Sequence, residues 1–471
     1  MRMPGLLILM SAATAQAANP YLFVVSDAGG PTVKVYGTNR QLTLDPPAAA
    51  AAPGLPEEFI VTSPPYEVTD PEINPGLAGL RQPFGPLGKG ASVFTIPLDF
   101  DINALGSGCG AVYEGHDIIV IGSGPGIVPP RVQVWANYSN ALSRAERDAF
   151  RKIVEFPIVD FGIGYSAGIH VAAGDYNGDG DLDIVVGRRN GEPRLAFHTL
   201  DGSLMGPWAT LTEFQTDLGL PADPDAVISE YLLPQTGNNE LVAYPEVPAG
   251  YNGGVRPTTL FQYGDAVFSF QYSVLATAPG PGFKPWVKVW FVHDGTQHIP
   301  TGGNVLSYCF PQDVALAQAH SPFVVAEFLA FAPSFKGGVN LAAFTDDPFG
   351  LVGPFENPES EINGTALLCG SGKGAGVVNI FAQTPVSPSF DKIHSFKPLG
   401  ASYTGGVGVS SADRSLDLLF DIVAFPASRQ TGALSNARFF HIATTAQGDK
   451  VVEDVLQRFK PFGNKRFHSS P

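Results

Sequence analysis

The densest group of metal-liganding side chains in the sequence is one nine-residue run, Asp175-Tyr176-Asn177-Gly178-Asp179-Gly180-Asp181-Leu182-Asp183. Oxygen-bearing side chains stand at positions 1, 3, 5, 7 and 9 of it. A hard divalent cation takes about six to eight oxygens at short range. Alternate residues of a tightly coiled loop can converge on such an ion. Gly180, at position 6, permits the sharp turn. Asp175, Asn177, Asp179 and Asp183 are the expected side-chain ligands, and Asp181 is expected to offer its backbone carbonyl. Up to four carboxylates packed this closely repel one another unless a cation sits among them. The expected ion is Ca2+, because magnesium prefers fewer protein ligands and keeps more waters. A solvated acidic turn would need Asp and Gly only for turn chemistry. It would not need alternate spacing with Gly at the sixth place. An EF-hand is excluded, since position 12 is Val186 rather than Glu and the flanks IHVAA and IVVG read as strands.

Two other segments keep parts of this pattern. Asp413, Ser415, Asp417 and Asp421 occupy positions 1, 3, 5 and 9, with Leu418 where the Gly would stand. Asp99, Asp101 and Asn103 keep the first half, and an insertion precedes Asp117. Both are further candidate metal loops. The corresponding segments near Thr258 and Thr345 have lost the ligands.

The elements that position these loops repeat along the chain. From Phe156 the order is an aromatic, Gly-rich stretch (FPIVDFGIGYSAG), a strand-like IHVAA, the acidic run, IVVG, a Gly-containing turn, and RLAFH. Similar orders recur around Phe84, Tyr251, Phe331 and Phe396. Each unit holds three or four short apolar strands punctuated by Gly-Pro or Gly-Gly turns. One such sheet cannot bury both its faces, whereas sheets packed radially about an axis can. The expected fold is therefore an all-β propeller. Strands of the VKV type begin near Val33, Val132, Leu195, Val287, Val377 and Arg438, which gives six blades, with seven as the alternative. Half-units at the two ends, TVKVYG and VVEDVLQRFKPFG, suggest one blade completed by strands from both termini.

Composition agrees with this reading. Gly (54) and Pro (42) are abundant, charged residues make up only 15%, and 33 Phe with 14 Tyr supply ample core material. That mixture reads as short strands and tight turns. Acidic residues outnumber basic ones 44 to 28, so a cationic footprint for nucleic acid or anionic membranes is missing. The basic run from Lys460 to His468 reads as a solvated tail. Residues 1–17 read as an export signal: Arg2, the apolar stretch from Leu6, and Ala15-Gln16-Ala17 as a small-x-small cleavage site. No stretch reaches the length of a membrane span. Residues 18–471 are expected to form a single propeller domain. Its insertions lie near 37–81, 104–115, 201–240 and 345–363. The expected location is secreted, or periplasmic in a bacterium. Asn137 and Asn363 match the glycosylation acceptor pattern. Cys109, Cys309 and Cys369 allow one disulfide at most, with the pairing open, and their spacing fits no zinc motif.

The Gly-Gly-Val strand, GDYNGDGDLDIVVG and the Gly-rich turn before a VKV strand resemble the FG-GAP/VCBS-type repeat, with the strongest match from Ile169 to Gly187. Such repeats build the propeller of integrin α-subunits and of many secreted bacterial proteins. The resemblance implies calcium held between the first two strands of a blade by Asp175, Asn177, Asp179 and Asp183, with Asp181 contributing its carbonyl. It also implies adhesion or binding of a protein or carbohydrate rather than catalysis.

Two catalytic patterns occur in the sequence without the context either requires. Gly164-Tyr165-Ser166-Ala167-Gly168 satisfies G-x-S-x-G, but it aligns with the turns ending at Gly254, Gly338 and Gly406 rather than with a strand-to-helix elbow. Gly370-Ser-Gly-Lys-Gly374 lacks the full phosphate-loop pattern. No catalytic residue is assigned. The leading expectation is a binding or adhesion module whose ligand meets loops on one face of the ring. An extracellular lyase or hydrolase and a purely structural scaffold are the alternatives.

Overall fold

The computed structural model describes residues 22–25, 32–37, 40–42, 59–61, 66–72, 74–86, 88–95, 118–136, 150–174, 176, 183–199, 240–262, 272–291, 323–345, 365–383, 389–412, 421–427, 437–445 and 448–459. The alternating and wholly apolar runs of the sequence form antiparallel strands, as expected. An N-terminal group comprises β1 (Leu22–Val25), β2 (Val33–Gly37), β3 (Arg40–Leu42), β4 (Phe59–Val61) and β5 (Tyr66–Glu67), followed by a short 3-10 turn at Pro75–Leu77 and α1 (Ala78–Arg81). Five four-stranded blades follow in chain order. Blade I is β6 (Ala91–Thr95), β7 (Ile118–Ser123), β8 (Arg131–Ala136) and β9 (Arg151–Pro157). Blade II is β10 (Ile169–Gly174), β11 (Asp183–Arg188), β12 (Arg194–Thr199) and β13 (Glu240–Val242). Blade III is β14 (Val255–Gln262), β15 (Tyr272–Pro279), β16 (Trp286–Phe291) and β17 (Phe323–Leu329). Blade IV is β18 (Val339–Thr345), β19 (Thr365–Ser371), β20 (Val378–Gln383) and β21 (Phe390–Phe396). Blade V is β22 (Val407–Ala412), β23 (Asp421–Pro426), β24 (Ala437–Thr445) and β25 (Gly448–Phe459).

The protein is thus an all-β propeller, but with five blades among the described residues rather than six or seven. The VKV-type strand at Val33 caused the difference. It lies in a three-stranded sheet, β1-β2-β5, and not in a complete blade. Nor do the two termini share a blade. The last strand, β25, pairs along its length with β24, while β1 pairs with β2. The three-stranded sheet nevertheless fills the gap in the ring. Val33 and Val35 pack with Ala91, Val93, Ile119 and Ile121 of blade I. On the other side Tyr36 packs with Val423, Phe425, Ala437 and Phe439 of blade V. Four further clusters lie between successive blades. The apolar core is therefore a series of inter-sheet layers, each burying faces that one sheet could not bury alone.

Of the expected insertions, 37–81 contains the small sheet β3-β4, then β5 and α1. Residues 104–115, 201–239 and 346–363 lie outside the described residues. So do residues 1–17, Asn137, Asn363, Cys109, Cys309 and the 460–468 tail. Cys369 is a buried free thiol in the core of β19. Among the described residues no helix is long and apolar enough to cross a membrane.

Two sets of polar contacts lock neighbouring blades. The first uses the second or third residue of the third strand. Lys288 Nζ donates to the Ala243 carbonyl (3.3 Å), Asn379 Nδ2 to that of Ala330 (2.6 Å) and Arg438 to that of Pro398 (2.9 Å). Each acceptor follows the last strand of the preceding blade. Gln133 makes the same kind of bond to the Pro83 carbonyl. The second set uses the second residue of the innermost strand. Ser92 Oγ donates to Ile169 O (2.9 Å), Arg256 to Val339 O (2.9 Å) and Asn340 Nδ2 to Val407 O (2.7 Å), each reaching the next blade. Each such bond satisfies a buried carbonyl that would otherwise be costly.

The turn between the second and third strands of a blade rests against the start of the next. A β-carbon on Gly254 would lie 2.2 Å from the Arg188 carbonyl oxygen, and Gly254 has φ +68°. Glycine is required there both for space and for the left-handed conformation. Gly254→Ala should destabilise the protein by more than about 1 kcal/mol, read as a lowered urea midpoint.

His170 holds the second position of β10, is 7% exposed, and has its pKa pulled down to about 3 by burial, with Arg256 adding to the effect. It is therefore neutral in the fold but protonates near its ordinary 6.5 once unfolded. Below that pH the unfolded chain binds more protons, so stability falls as pH drops from 6.5 toward 3, by up to about 1.4 kcal/mol per pH unit. Denaturation midpoints at neutral and mildly acidic pH should fall less far apart in His170→Gln than in the wild type.

Candidate functional site

The acidic run lies where the repeat predicted it, between two strands. Gly174, the last residue of β10, pairs with Asp183, the first of β11, so the run joins two paired antiparallel strands in sequence. Both flanking strands are buried, β10 throughout and β11 up to Gly187. The flanks are strands on both sides, in line with the exclusion of an EF-hand. Asp175, Asn177, Asp179 and Asp181 lie outside the described residues. Among the described residues no three His, Cys, Asp or Glu side chains gather around one point.

Two members of the run are described, and both face inward. Asp183 is 1% exposed, and its Oδ2 accepts the Tyr176 backbone N–H at 3.0 Å. The tie spans the loop mouth from its second residue to its exit. A carboxylate buried here fits a cation at the loop, because it brings an anionic oxygen to the base of a run of oxygen donors.

Tyr176 was not singled out in the sequence, yet it anchors the loop. Its ring is fully buried among Val185, Leu195, Phe197, Tyr244, Val255 and Trp290, residues of blades II and III. Its hydroxyl is 2.6 Å from Thr259 Oγ1, and Thr259 Oγ1 lies in position to donate to the Ala173 carbonyl (2.7 Å). Burial raises the Tyr176 pKa well above the ordinary phenol value; the hydrogen bond to Thr259 opposes that rise and the nearby Asp183 carboxylate adds to it. The available signal was an aromatic residue set between two ligand positions, with apolar strands on either side.

In blade V Ala412 pairs with Asp421, so the same number of residues separates β22 from β23 as separates β10 from β11. Asp421 begins β23 as Asp183 begins β11. Asp413, Ser415 and Asp417 lie outside the described residues, as do Asp99, Asp101, Asn103 and Asp117 of blade I. In blades III and IV the corresponding hairpins close at Gln262–Tyr272 and Thr345–Thr365, without an acidic residue at either end.

The motifs set aside as catalytic are turns of the repeat. Tyr165 OH donates to the Gly168 and Asn190 carbonyls (2.9 and 3.0 Å), and the Ser166 carbonyl accepts from Gly126 N–H (2.8 Å). Gly168 leads into β10, a strand and not a helix. Gly370-Ser-Gly-Lys-Gly374 runs from the end of β19 into the turn before β20. Trp135 and Trp290 are both buried in core clusters, as their shared strand position implied.

A separate recess of about 480 Å³ opens between α1's following segment and blade I. Pro83, Phe84, Ile127 and Val128 form apolar walls, and the Arg131–Glu155 ion pair (2.8 Å) lies at its side.

Radial four-stranded sheets with these hairpins define a β-propeller. Residues 167–192 match the FG-GAP repeat family. The chain is accordingly an FG-GAP-repeat propeller protein, its matched repeat comprising β10, the acidic loop, β11 and the turn after it. No curated protein matches the sequence. Solved structures with distant likeness include a protein from Lactobacillus plantarum (9% identity, TM-score 0.38, 93% of this chain and 82% of that one). Others are a putative 6-phosphogluconolactonase from Bacteroides fragilis (9%, 0.38, 95% and 83%) and the exotype rhamnogalacturonan lyase YesX (10%, 0.27, 94% and 66%).

The Asp183–Tyr176 tie is independent of any ion. Asp183→Ala should therefore lower stability in chelator by about 1–3 kcal/mol, since it strands a buried N–H. Thermal melting in excess chelator measures this.

Proposed function

We propose that this protein is an exported, calcium-dependent binding module that presents a protein or glycan ligand to loops on one face of its ring. The observation that carries the reading is the Gly174–Asp183 pairing with a buried Asp183 carboxylate, two strands joined in sequence by the run that holds Asp175, Asn177, Asp179 and Asp181. Asp175, Asn177, Asp179 and Asp183 would hold the ion through side chains and Asp181 through its carbonyl. When bound, calcium supplies a positive centre that neutralises the loop's carboxylates and stiffens it; it supplies no reaction step. The equal-length loop of blade V, ending at Asp421, is the candidate second site. The export signal at residues 1–17 supports a location where calcium is plentiful and a surface binder meets its ligand. The recess beside blade I, apolar with a charged pair at its side, has the character of a contact site for such a ligand.

Calorimetric titration of the chelated protein should give a main calcium site with a dissociation constant on the order of micromolar to millimolar. Saturating calcium should raise the melting temperature. Asp179→Ala should abolish the heat and the shift. Absence of both in the wild-type protein would refute calcium binding. A glycan and protein array probed with and without chelator tests the ligand reading: calcium-dependent capture supports it, and a blank array in both conditions argues for a scaffold.

A further inference from the structure

Blades II and III carry ionisable side chains where their neighbours carry neutral ones. The second residue of the innermost strand is Ser92 in blade I and Asn340 in blade IV, and each donates to a carbonyl of the next blade (2.9 and 2.7 Å). The same position holds His170 in blade II and Arg256 in blade III. His170 is 7% exposed, yet its ring nitrogens make no hydrogen bond among the described residues. Arg256 donates from Nη1 to the Val339 carbonyl (2.9 Å) and makes no ion pair among the described residues. The rest of its guanidinium fork is left for other acceptors.

Close backbone approach brings these groups and a second arginine to one place. Gly187 pairs with His170 across β10 and β11. A β-carbon on Gly187 would lie 2.7 Å from the Val255 carbonyl oxygen and 3.1 Å from Pro257 Cδ, the residues on either side of Arg256. Two residues further on, the Arg189 N–H donates to the Gly168 carbonyl (3.1 Å). The Arg189 carbonyl oxygen would lie 2.5 Å from a β-carbon on Gly254, two residues before Arg256. Both arginines are partly exposed, so solutes can reach them.

The charges oppose one another. Burial and the Arg256 charge pull the Arg189 pKa down to about 10. Burial lowers Arg256 to about 10 as well, with Tyr251 opposing the fall, and His170 is lowered by burial and by Arg256. No carboxylate of the described residues contributes to any of these shifts. An anion arriving between the guanidinium groups removes that repulsion. Arginine suits this role, because its planar fork matches carboxylate, phosphate and sulfate oxygens two at a time. The neutral imidazole adds a ring N–H. The net charge of −16 gives the chain no general attraction for anions, so the attraction is confined to this point.

We propose that Arg189, Arg256 and His170 form an oxyanion-binding site at the junction of blades II and III, taking a carboxylate, phosphate or sulfate group. The site lies where β10 and β14 begin, whereas the acidic run follows the end of β10. It does not depend on calcium.

The test uses the full chain in excess chelator, titrated separately with acetate, inorganic phosphate and sulfate at ionic strength matched by sodium chloride. Calorimetry on the wild type should give a dissociation constant on the order of millimolar or tighter for at least one of them, with a raised melting temperature. A preference for acetate assigns the ligand as a carboxylate, and a preference for phosphate or sulfate assigns it as an ester of that acid. Arg256→Gln and Arg189→Gln should each weaken binding about tenfold or more, the scale of a lost charge-assisted hydrogen bond. The ring resonance of His170, assigned by its loss in His170→Gln, should move as the anion saturates. No effect beyond that of chloride with all three anions would overturn the site. So would equal binding by wild type and both arginine variants, the mark of an adventitious ion only. If Arg256→Gln does not fold, Arg189→Gln decides the matter. Because chelator is present throughout, failure here leaves the calcium reading untouched.

Discussion

Everything in this ring depends on how closely the backbone of one blade can approach the next. The turn between the second and third strands of blades I to IV presses against the residues that open the following innermost strand. At Gly406 a β-carbon would lie 2.1 Å from the Gly372 carbonyl oxygen, and Gly406 has φ +92°. No side chain fits that gap. With the backbones in contact, apolar layers such as Ala342, Leu368, Val407 and Val409 close between the sheets. The polar latches from Asn340 and Asn379 then fall within reach of carbonyls on neighbouring blades. A looser approach would leave those amides and carbonyls buried without partners, which costs more than the latches contribute.

The same contact explains why the repeat was readable in sequence. A Gly-Gly or Ala-Gly pair before the innermost strands of blades II to V is a steric demand, so it recurs where ligands and loop lengths do not. The strands followed from apolar runs bounded by these glycines, and the acidic hairpin from its alternating oxygens. The blade count did not follow, because one VKV strand does not reveal its partners. Val33–Gly37 has the signature of a third strand, yet only β1 and the two-residue β5 flank it. Likewise, VVEDVLQRF reads as an unpaired half-unit, but β24 is long enough to take it as a partner, with a register shift near Ala437. Pairing is a property of two segments, and a pattern within one segment does not fix it.

Tyr176 illustrates a different limit. In the sequence it is the second residue of an acidic loop, where an exposed position would be expected. Its burial comes from a neighbour about eighty residues away, Thr259, and from Trp290 farther still. Local spacing identifies groups able to surround an ion. It says nothing of how the surrounding loop is held, which depends on the packing of two blades.

Blade II, the one that matches the family, also lacks the latch that its neighbours share. Where blades I, III, IV and V carry Gln133, Lys288, Asn379 and Arg438 at the second or third residue of the third strand, blade II has Ala196, buried in an apolar cluster. A methyl group cannot reach back to a carbonyl of the preceding blade. That task falls to Arg188 at the end of β11, which donates to the Phe161 carbonyl after the last strand of blade I (3.0 Å). On its other side, blade II reaches forward to blade III through Tyr176. The seam with blade I also carries the repeated latch from Ser92 to the Ile169 carbonyl, whereas the seam with blade III runs through Tyr176, a residue of the acidic run. A blade that relies on its loop for attachment has reason to keep that loop's composition. The blades latched through the third strand could lose theirs without loosening the ring, as the hairpins after β14 and β18 have done.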